Sequence, residues 1–116
     1  MKNSEIQSEE TRKSRLTSLI GLCRRAGRLG CGAEKIQAAL KTGGAALLLL
    51  ASDPSDRTRK QLTDKSAFRG VKTITLPLTK AELGHACGVD ELSGCVVTDS
   101  GFARAIAALA GEAQSG

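Results

Sequence analysis

An unbroken apolar run over residues 45–51 constrains the fold of this chain more than any other feature of its sequence. Turn residues flank it, with Gly43 and Gly44 before the run and Asp53 and Pro54 after it. The run is far too short to span a bilayer, and its length and flanks favour a strand buried on both faces. Such a strand needs packing partners above and below its sheet, as in the middle of an α/β sheet.

Helical and strand patterns alternate on both sides of this run. Apolar residues in 14–26 recur with i, i+3, i+4, i+7 spacing, which indicates an amphipathic helix ended by Gly27. The other predicted elements are a glycine-containing connection over 28–32, helices over 33–41, 53–68 (with Pro54 in its first turn) and from Thr79, strands over 71–76 and 94–98, and a last helix from Ser100. This order predicts an α/β fold, a three-layer α/β/α sandwich with a small mixed sheet of about four strands.

Polar residues occupy both ends of the chain. With 116 residues there is room for one core, so we expect a single domain over residues 13–112. Residues 1–12 lack periodicity and are predicted to form a flexible tail, as are residues 113–116. The polar, acidic start does not match a signal peptide, and we therefore expect a cytoplasmic protein without a membrane partner.

Basic residues are concentrated in the N-terminal quarter, and the formal net charge is +5. The clustered cations are Arg12, Lys13, Arg15, Arg24, Arg25 and Arg28. Clusters of this kind are typical of proteins that bind phosphate groups. Because Phe68 and Phe102 are the only aromatic residues, modules that stack single-stranded bases on aromatic rings are nearly excluded. A nucleic-acid partner would be bound through charge, backbone donors and small apolar contacts.

No catalytic or metal-binding pattern is visible in the sequence. Cys23, Cys31, Cys87 and Cys95 lack the spacing of a zinc site, and we expect them to be small hydrophobic residues in a reducing cytoplasm. His85 is the one histidine and has no adjacent nucleophile signature. Dinucleotide and Walker patterns are also missing. We therefore predict a protein that is not an enzyme and uses no cofactor, no metal and no small-molecule substrate.

Glycines precede the second predicted helix, in the segment Gly30-Cys31-Gly32-Ala33-Glu34-Lys35. Free N–H groups and the positive end of a helix dipole would point outward there, towards a phosphate or a base edge. Gly32 would allow close approach of an RNA backbone, and the arginines upstream could contact flanking phosphates. On composition alone, an ordinary glycine turn beside an exposed basic helix explains the segment at least as well.

Several segments together resemble a known family: residues 19–28, 32–43, 47–53 and 80–88. They include an apolar strand ending in A-x-D and the pattern L-G-x-A-x-G over residues 83–88. In this order they are similar to the large-subunit ribosomal protein family of kink-turn RNA binders (L-seven-Ae and L-thirty-e type). Residues 96–103 resemble its bacterial YlxQ-like branch. The resemblance covers almost the whole chain after the first dozen residues, so the domain over 13–112 is expected to be a ribosomal-protein-like RNA-binding domain.

The resemblance implies an RNA-reading surface built from two segments. One is the helix start, where a G-T-N-E-type tetrapeptide of the family falls on Gly32, Ala33, Glu34 and Lys35. The other is a small loop after the L-G-x-A-x-G helix. The complete set of expected RNA-binding residues is Arg24, Arg25, Arg28, Gly32, Ala33, Glu34, Lys35, Lys41, Asp53, Val89, Asp90, Glu91 and Leu92.

This chain departs from the family pattern at the helix start. Glu34 and Lys35 stand where archaeal members have Asn and Glu, and Ala38 stands where they have a lysine. A carboxylate at Glu34 only accepts hydrogen bonds and repels phosphate. We therefore expect RNA binding with a shifted or relaxed target.

Three functions of different classes are considered. We predict a monomeric, non-catalytic protein that binds structured, kink-turn-like RNA, such as ribosomal RNA, in association with ribosomes or translation. The second is a protein–protein adaptor on the same fold, since a fold does not dictate a function. An enzyme acting on RNA is third, because no base, nucleophile or metal cluster is visible.

Overall fold

The computed structural model describes the backbone of residues 2–111 and the side chains of residues 10–111. The elements in chain order are α1 (Lys2–Arg25), β1 (Leu29–Cys31), α2 (Ala33–Thr42), β2 (Leu47–Leu50), α3 (Asp56–Phe68), β3 (Thr73–Thr75), α4 (Lys80–Cys87), β4 (Gly94–Val97) and α5 (Ser100–Leu109). The alternation of helices and strands predicted from the sequence is confirmed.

The strands of the described residues form one mixed, four-stranded sheet in the order β1-β4-β2-β3. β2 runs parallel to β3 and antiparallel to β4, so that Leu48 lies opposite Thr73 on one side and Val96 on the other. β1 completes the sheet at its edge, where Cys31 lies opposite Cys95. The predicted apolar run therefore supplies an inner strand, and every residue of β2 is buried.

Helices cover both faces of the sheet, because successive residues of β2 point to opposite faces. The core on one face combines α1, α4 and α5 with alternate residues of β2: Leu16, Ile20, Leu47, Leu49, Leu83 and Ile106 among others. The core on the other face combines α2 and α3 with the remaining residues of β2: Ile36, Leu40, Leu48, Leu50, Leu62 and Val96. The predicted three-layer sandwich is confirmed. No helix in the part of the chain that the structure describes is long and apolar enough to cross a membrane.

The first helix begins earlier than predicted. The sequence predicts a flexible tail over residues 1–12 and a helix from residue 14, whereas α1 begins at Lys2. These first turns lack an apolar stripe, but their Glu, Gln, Lys and Arg residues have high intrinsic helix propensity. Residue 1 and the predicted tail over residues 113–116 lie outside the described residues.

A strand occupies the segment that was predicted to be a connection, and this prediction is wrong. β1 is short and contains Gly30, a residue that is uncommon in strands, so no strand pattern is visible. The glycine is needed for packing: a Cβ at position 30 would lie 3.0 Å from the Val96 side chain and 3.2 Å from the Cβ of Lys35. Gly30 therefore lets the start of α2 pack closely on the sheet.

The start of α3 also differs from the prediction, since Pro54 lies outside the helix rather than in its first turn. Ser55 is the N-cap, and its hydroxyl accepts a hydrogen bond from the Thr58 N–H at 3.1 Å. Asp53 does not cap α3. Its Oδ1 instead accepts a hydrogen bond from the Lys80 N–H at 2.7 Å. The carboxylate therefore joins the end of β2 to the start of α4.

A capping box fixes the start of α4. The Thr79 hydroxyl accepts from the Glu82 N–H at 3.1 Å, and Glu82 Oε1 accepts from the Thr79 N–H at 2.9 Å. Glu82 also pairs with Lys13 of α1 at 3.1 Å. The hydrogen bond from the Thr79 backbone, followed by the contact with Lys13, lowers the pKa of Glu82 below its ordinary value. This carboxylate therefore connects α1 and α4 in its charged form.

The stabilising effect of Glu82 should depend on pH. Because folding lowers the pKa of this carboxyl group, its contribution is present above the unfolded-state pKa and is lost as pH falls through the folded-state pKa. We expect Glu82→Gln to be less stable than the unchanged protein at pH 7, with the difference shrinking as pH falls below the unfolded-state pKa of about 4.3. Urea unfolding at several pH values measures this. An equal difference at both ends of the range would show that charge has no part in it.

Candidate nucleic-acid interface

The start of α2 is accessible and lacks a side-chain cap. Gly32 precedes it with φ 95°, a conformation that favours glycine, and no side chain accepts from the first N–H groups of the helix. By contrast, α3, α4 and α5 are each capped by a side chain: Ser55, Thr79 and Asp99. Ala33, Glu34 and Lys35 are exposed. The N–H groups of this first turn and the positive end of the α2 dipole are therefore available to a ligand.

The loop between α4 and β4, residues 88–93, is held against α4 by backbone hydrogen bonds. The Val89 N–H donates to the Gly84 carbonyl at 2.8 Å, and the Leu92 N–H donates to the Lys80 carbonyl at 3.0 Å. The 88–93 loop is thus anchored near both of its ends.

Gly84 allows the loop to cross α4 closely. A Cβ at position 84 would lie 2.8 Å from the backbone N and Cα of Glu91 and 2.9 Å from the carbonyl carbon of Asp90. The side chains of Val89, Asp90 and Glu91 are all exposed. The loop therefore presents one apolar and two acidic side chains from a fixed backbone.

Contacts between thiols connect this loop to the start of α2. Cys31 directly precedes Gly32, Cys87 directly precedes Gly88, and the two thiols are hydrogen-bonded. That hydrogen bond, followed by burial, raises the pKa of Cys31 well above its ordinary value. The pKa of Cys87 rises to about 12, because the lowering effect of Cys31 is outweighed by contact with Cys95 and by burial. At neutral pH the thiols are therefore uncharged, and they pack as small apolar groups beneath the surface.

Arg24 and Lys35 place positive charge over this junction. A Cβ on Gly88 would lie 3.6 Å from the guanidinium carbon of Arg24, so the arginine lies against the first residue of the loop. The Cβ of Lys35 would lie 3.2 Å from a Cβ at Gly30, the residue before Cys31, and both cations oppose the rise in the pKa of Cys31. The structure therefore brings together the two segments that the sequence predicted, with a cation from α1 and another from α2.

Arg25 and Arg28 lie where α1 passes into β1, and both side chains are exposed. The Arg28 backbone is fixed: its N–H donates to the Cys23 carbonyl at 3.0 Å, and its carbonyl accepts from the Thr98 N–H at 2.9 Å. Among the described side chains, none of Arg24, Arg25 and Arg28 forms an ion pair with a carboxylate. Their charge is therefore available to an anionic partner.

Two further predicted residues occupy different positions. Asp53 is linked to the 88–93 loop through Lys80, whose N–H donates to Asp53 and whose carbonyl accepts from Leu92. Its carboxylate therefore has a structural partner at the edge of the surface. Lys41 lies in the last turn of α2, about 13 Å from Gly32 at 1.5 Å per residue. The structure does not bring Lys41 to the start of α2.

Comparison with known proteins identifies the family. The model of the ribosomal protein L7Ae/L30e/S12e/Gadd45 family matches residues 14–107. The chain belongs to this family. Within it, the chain is 33% identical over 95 residues to RNA-binding protein YlxQ of Enterococcus faecium, covering 82% of this chain and 90% of that protein. It is 32% identical over 91 residues to RNA-binding protein YlxQ of Bacillus subtilis (strain 168), covering 78% and 90%. These relatives place the chain in the YlxQ-like branch.

Solved structures agree with the fold. A Bacillus halodurans C protein of unknown function has a TM-score of 0.76 at 34% identity, covering 83% of this chain and 96% of that one. The Giardia lamblia 15.5kD RNA binding protein has a TM-score of 0.68 at 19% identity, covering 90% and 89%. At that identity the Giardia protein supports the fold alone.

Sequence reasoning missed the residues that position this family's two segments relative to each other. Gly84 shapes the 88–93 loop, and Cys31 and Cys87 join the loop to α2. Gly84 lies within the L-G-x-A-x-G pattern, so the sequence marks the position. It does not show that a glycine is needed there because the 88–93 loop crosses α4 closely. The thiol contacts have no local signal, because they depend on how β1 and α4 pack.

Proposed function

We propose that this member of the family is a non-catalytic protein that binds structured, kink-turn-like RNA. The observation that carries the proposal is the convergence of the uncapped start of α2 and the 88–93 loop beside Arg24 and Lys35. Backbone donors, a helix dipole and cations suit phosphates and base edges. A fixed loop with exposed Val89 supplies a small apolar contact.

The charge distribution around this surface favours a target different from that of the archaeal members. Lys35 and the arginines at the end of α1 attract phosphates, whereas Glu34, Asp90 and Glu91 repel them. A strand bound here would place its phosphates on the α1 side and base edges or ribose hydroxyls near the carboxylates, which accept hydrogen bonds. We infer recognition of a bent RNA with relaxed sequence requirements.

The relatives support RNA as the partner, since both are named RNA-binding protein YlxQ. Membership in a family of ribosomal proteins supports a non-enzymatic role, and we propose association with ribosomes or translation in the cytoplasm. We propose a monomer because, among the described side chains, only Leu22, Phe68 and Val89 are large, apolar and exposed.

A fluorescence anisotropy titration at two salt concentrations tests this function. The probes are a kink-turn RNA, a straight duplex of matched composition and a single strand. We expect at least about tenfold tighter binding to the kink-turn RNA, equivalent to roughly 1.4 kcal/mol. Equal, salt-sensitive binding to all three probes would contradict kink-turn specificity but would still support RNA binding. No binding at low salt would overturn the function and leave the adaptor.

Lys35→Ala provides the matched test of the surface. If Lys35 neutralises one phosphate, the variant should bind more weakly and lose about 0.7–0.9 from the log–log salt slope. Lys60→Ala is the control, because Lys60 lies on α3 and already pairs with Asp64 at 2.9 Å. Equal losses in the two variants would mean that only general charge matters.

A further inference from the structure

Phe68, at the end of α3, is exposed to an unusual degree. It is one of two aromatic residues in the chain, and 83% of it is accessible to solvent. The guanidinium carbon of Arg69 lies over the ring, 5.6 Å from its centroid. A single exposed apolar side chain is common on protein surfaces, so the ring becomes informative only together with the charged groups beside it.

A basic groove runs beside this ring, between α2 and α3. It has a volume of about 460 Å³, and its charged lining consists of Lys41, Asp64, Lys65 and Arg69. Asp64 already accepts from Lys60 at 2.9 Å. The lining thus carries three cations and one carboxylate, and that carboxylate is already paired with Lys60. The net charge of the groove is therefore positive and complementary to an anion.

Helix stability alone does not explain this arrangement. Lys41 and Lys65 lie in the last turns of α2 and α3, where cations favourably oppose the helix dipole. That accounts for their charge but not for an exposed aromatic ring between them. One aromatic ring does not make a module that stacks several bases, but a ring beside cations is the combination that holds a single base together with its phosphates.

We propose that the α2–α3 groove binds an unpaired nucleotide of an RNA strand, with its base stacked on Phe68. Lys41, Lys65 and Arg69 contact the phosphates on either side of that nucleotide. The ligand class is thus single-stranded RNA, whether it is free or extends from a folded RNA. The inference rests on the proposed RNA-binding function and assigns a second contact surface to it.

The position of the groove is compatible with one RNA contacting both surfaces. Lys41 lies about 13 Å along α2 from Gly32, and Gln37 and Ala38 between them are exposed. At a stacked spacing of 3.4 Å, about four nucleotides cover this distance. Lys41, which the structure separates from the start of α2, thereby gains a role at this second surface.

The absence of Trp and Tyr from the chain allows a direct test. Phe68→Trp introduces the sole tryptophan, whose emission should be quenched when a base stacks on it. The probe is an eight-nucleotide oligouridylate at low salt, with anisotropy of a labelled copy measured in parallel. Thr63→Trp is the matched control, because Thr63 is also exposed on α3 but lies about 140° around the helix from Phe68.

Saturable quenching in Phe68→Trp, together with unchanged emission in Thr63→Trp, is the expected result. Phe68→Ala should then bind the oligouridylate about fivefold or more weakly while binding the kink-turn duplex as before. RNA binding by anisotropy without quenching in Phe68→Trp would overturn the second surface and leave the proposed function intact. No binding of any RNA would remove both. Equal quenching by an oligoglutamate of matched charge would overturn the nucleotide assignment in favour of an acidic protein segment.

Discussion

Gly84→Ala should lower the free energy of unfolding by about 1–2 kcal/mol and weaken RNA binding about tenfold. The added Cβ would lie 2.8 Å from the backbone of Glu91, a distance that real contacts of this kind essentially never show. The neighbour is backbone and cannot rotate away, so the 88–93 loop must shift. The gain in helix propensity, about 0.5–1 kcal/mol, offsets only part of this cost.

Gly21→Ala is the matched control for this variant. Gly21 also lies inside a helix that packs on its neighbour, but its Cβ would lie at an ordinary 3.5 Å from the Ala86 carbonyl. We expect this variant to be as stable as the unchanged protein or slightly more stable. Urea unfolding measures the stability of each variant. Hydrogen exchange at the Val89 and Leu92 N–H groups reports separately on the position of the loop. Normal stability and exchange in Gly84→Ala would show that the loop does not depend on this close contact.

Arg24→Ala should reduce RNA affinity about tenfold and lower the salt slope by about 1. The guanidinium lies against Gly88, close to Cys31 and thus to both segments of the surface. Its removal takes positive charge from the point where the two segments meet. The loss should be similar for different RNA sequences, because phosphate contacts carry no sequence information.

Arg57→Ala is the corresponding control. Arg57 is exposed near the start of α3, on the opposite face of the sheet from α1, and should change affinity little. Anisotropy titrations of both variants at two salt concentrations measure the difference. If the two variants lose affinity equally, Arg24 has no special position and the interface lies elsewhere.

The layered fold was predictable because the apolar run in β2 leaves few alternatives. A strand buried on both faces requires helices above and below it, and the helical periodicity around it is clear. The start of α1 and the edge strand β1 were not predictable in the same way. The start of α1 relies on helix propensity without an apolar stripe. The strand β1 contains Gly30, a residue that is uncommon in strands.

The candidate site was predictable in its parts but not in its assembly. The glycine before α2 and the arginines at the end of α1 are visible in the sequence, as is the loop after α4. The position of the loop depends on the close contact between Gly84 and Glu91, and its meeting with α2 depends on the contact between Cys31 and Cys87, which are distant in sequence. The distance of Lys41 from the start of α2 follows from the length of that helix and could have been calculated from the sequence.

Pairing between β1 and β4 makes the site inseparable from the fold. α2 begins directly after β1, the 88–93 loop leads into β4, and Cys31 lies opposite Cys95 where the two strands meet. The two segments are brought together only when these strands pair, so an RNA that binds here selects the folded state over the unfolded one. At a concentration of about a hundred times its Kd, such an RNA adds about 2.7 kcal/mol and raises the melting temperature by on the order of 10 °C. Thermal melting is therefore a means of finding the natural RNA without knowing its sequence in advance.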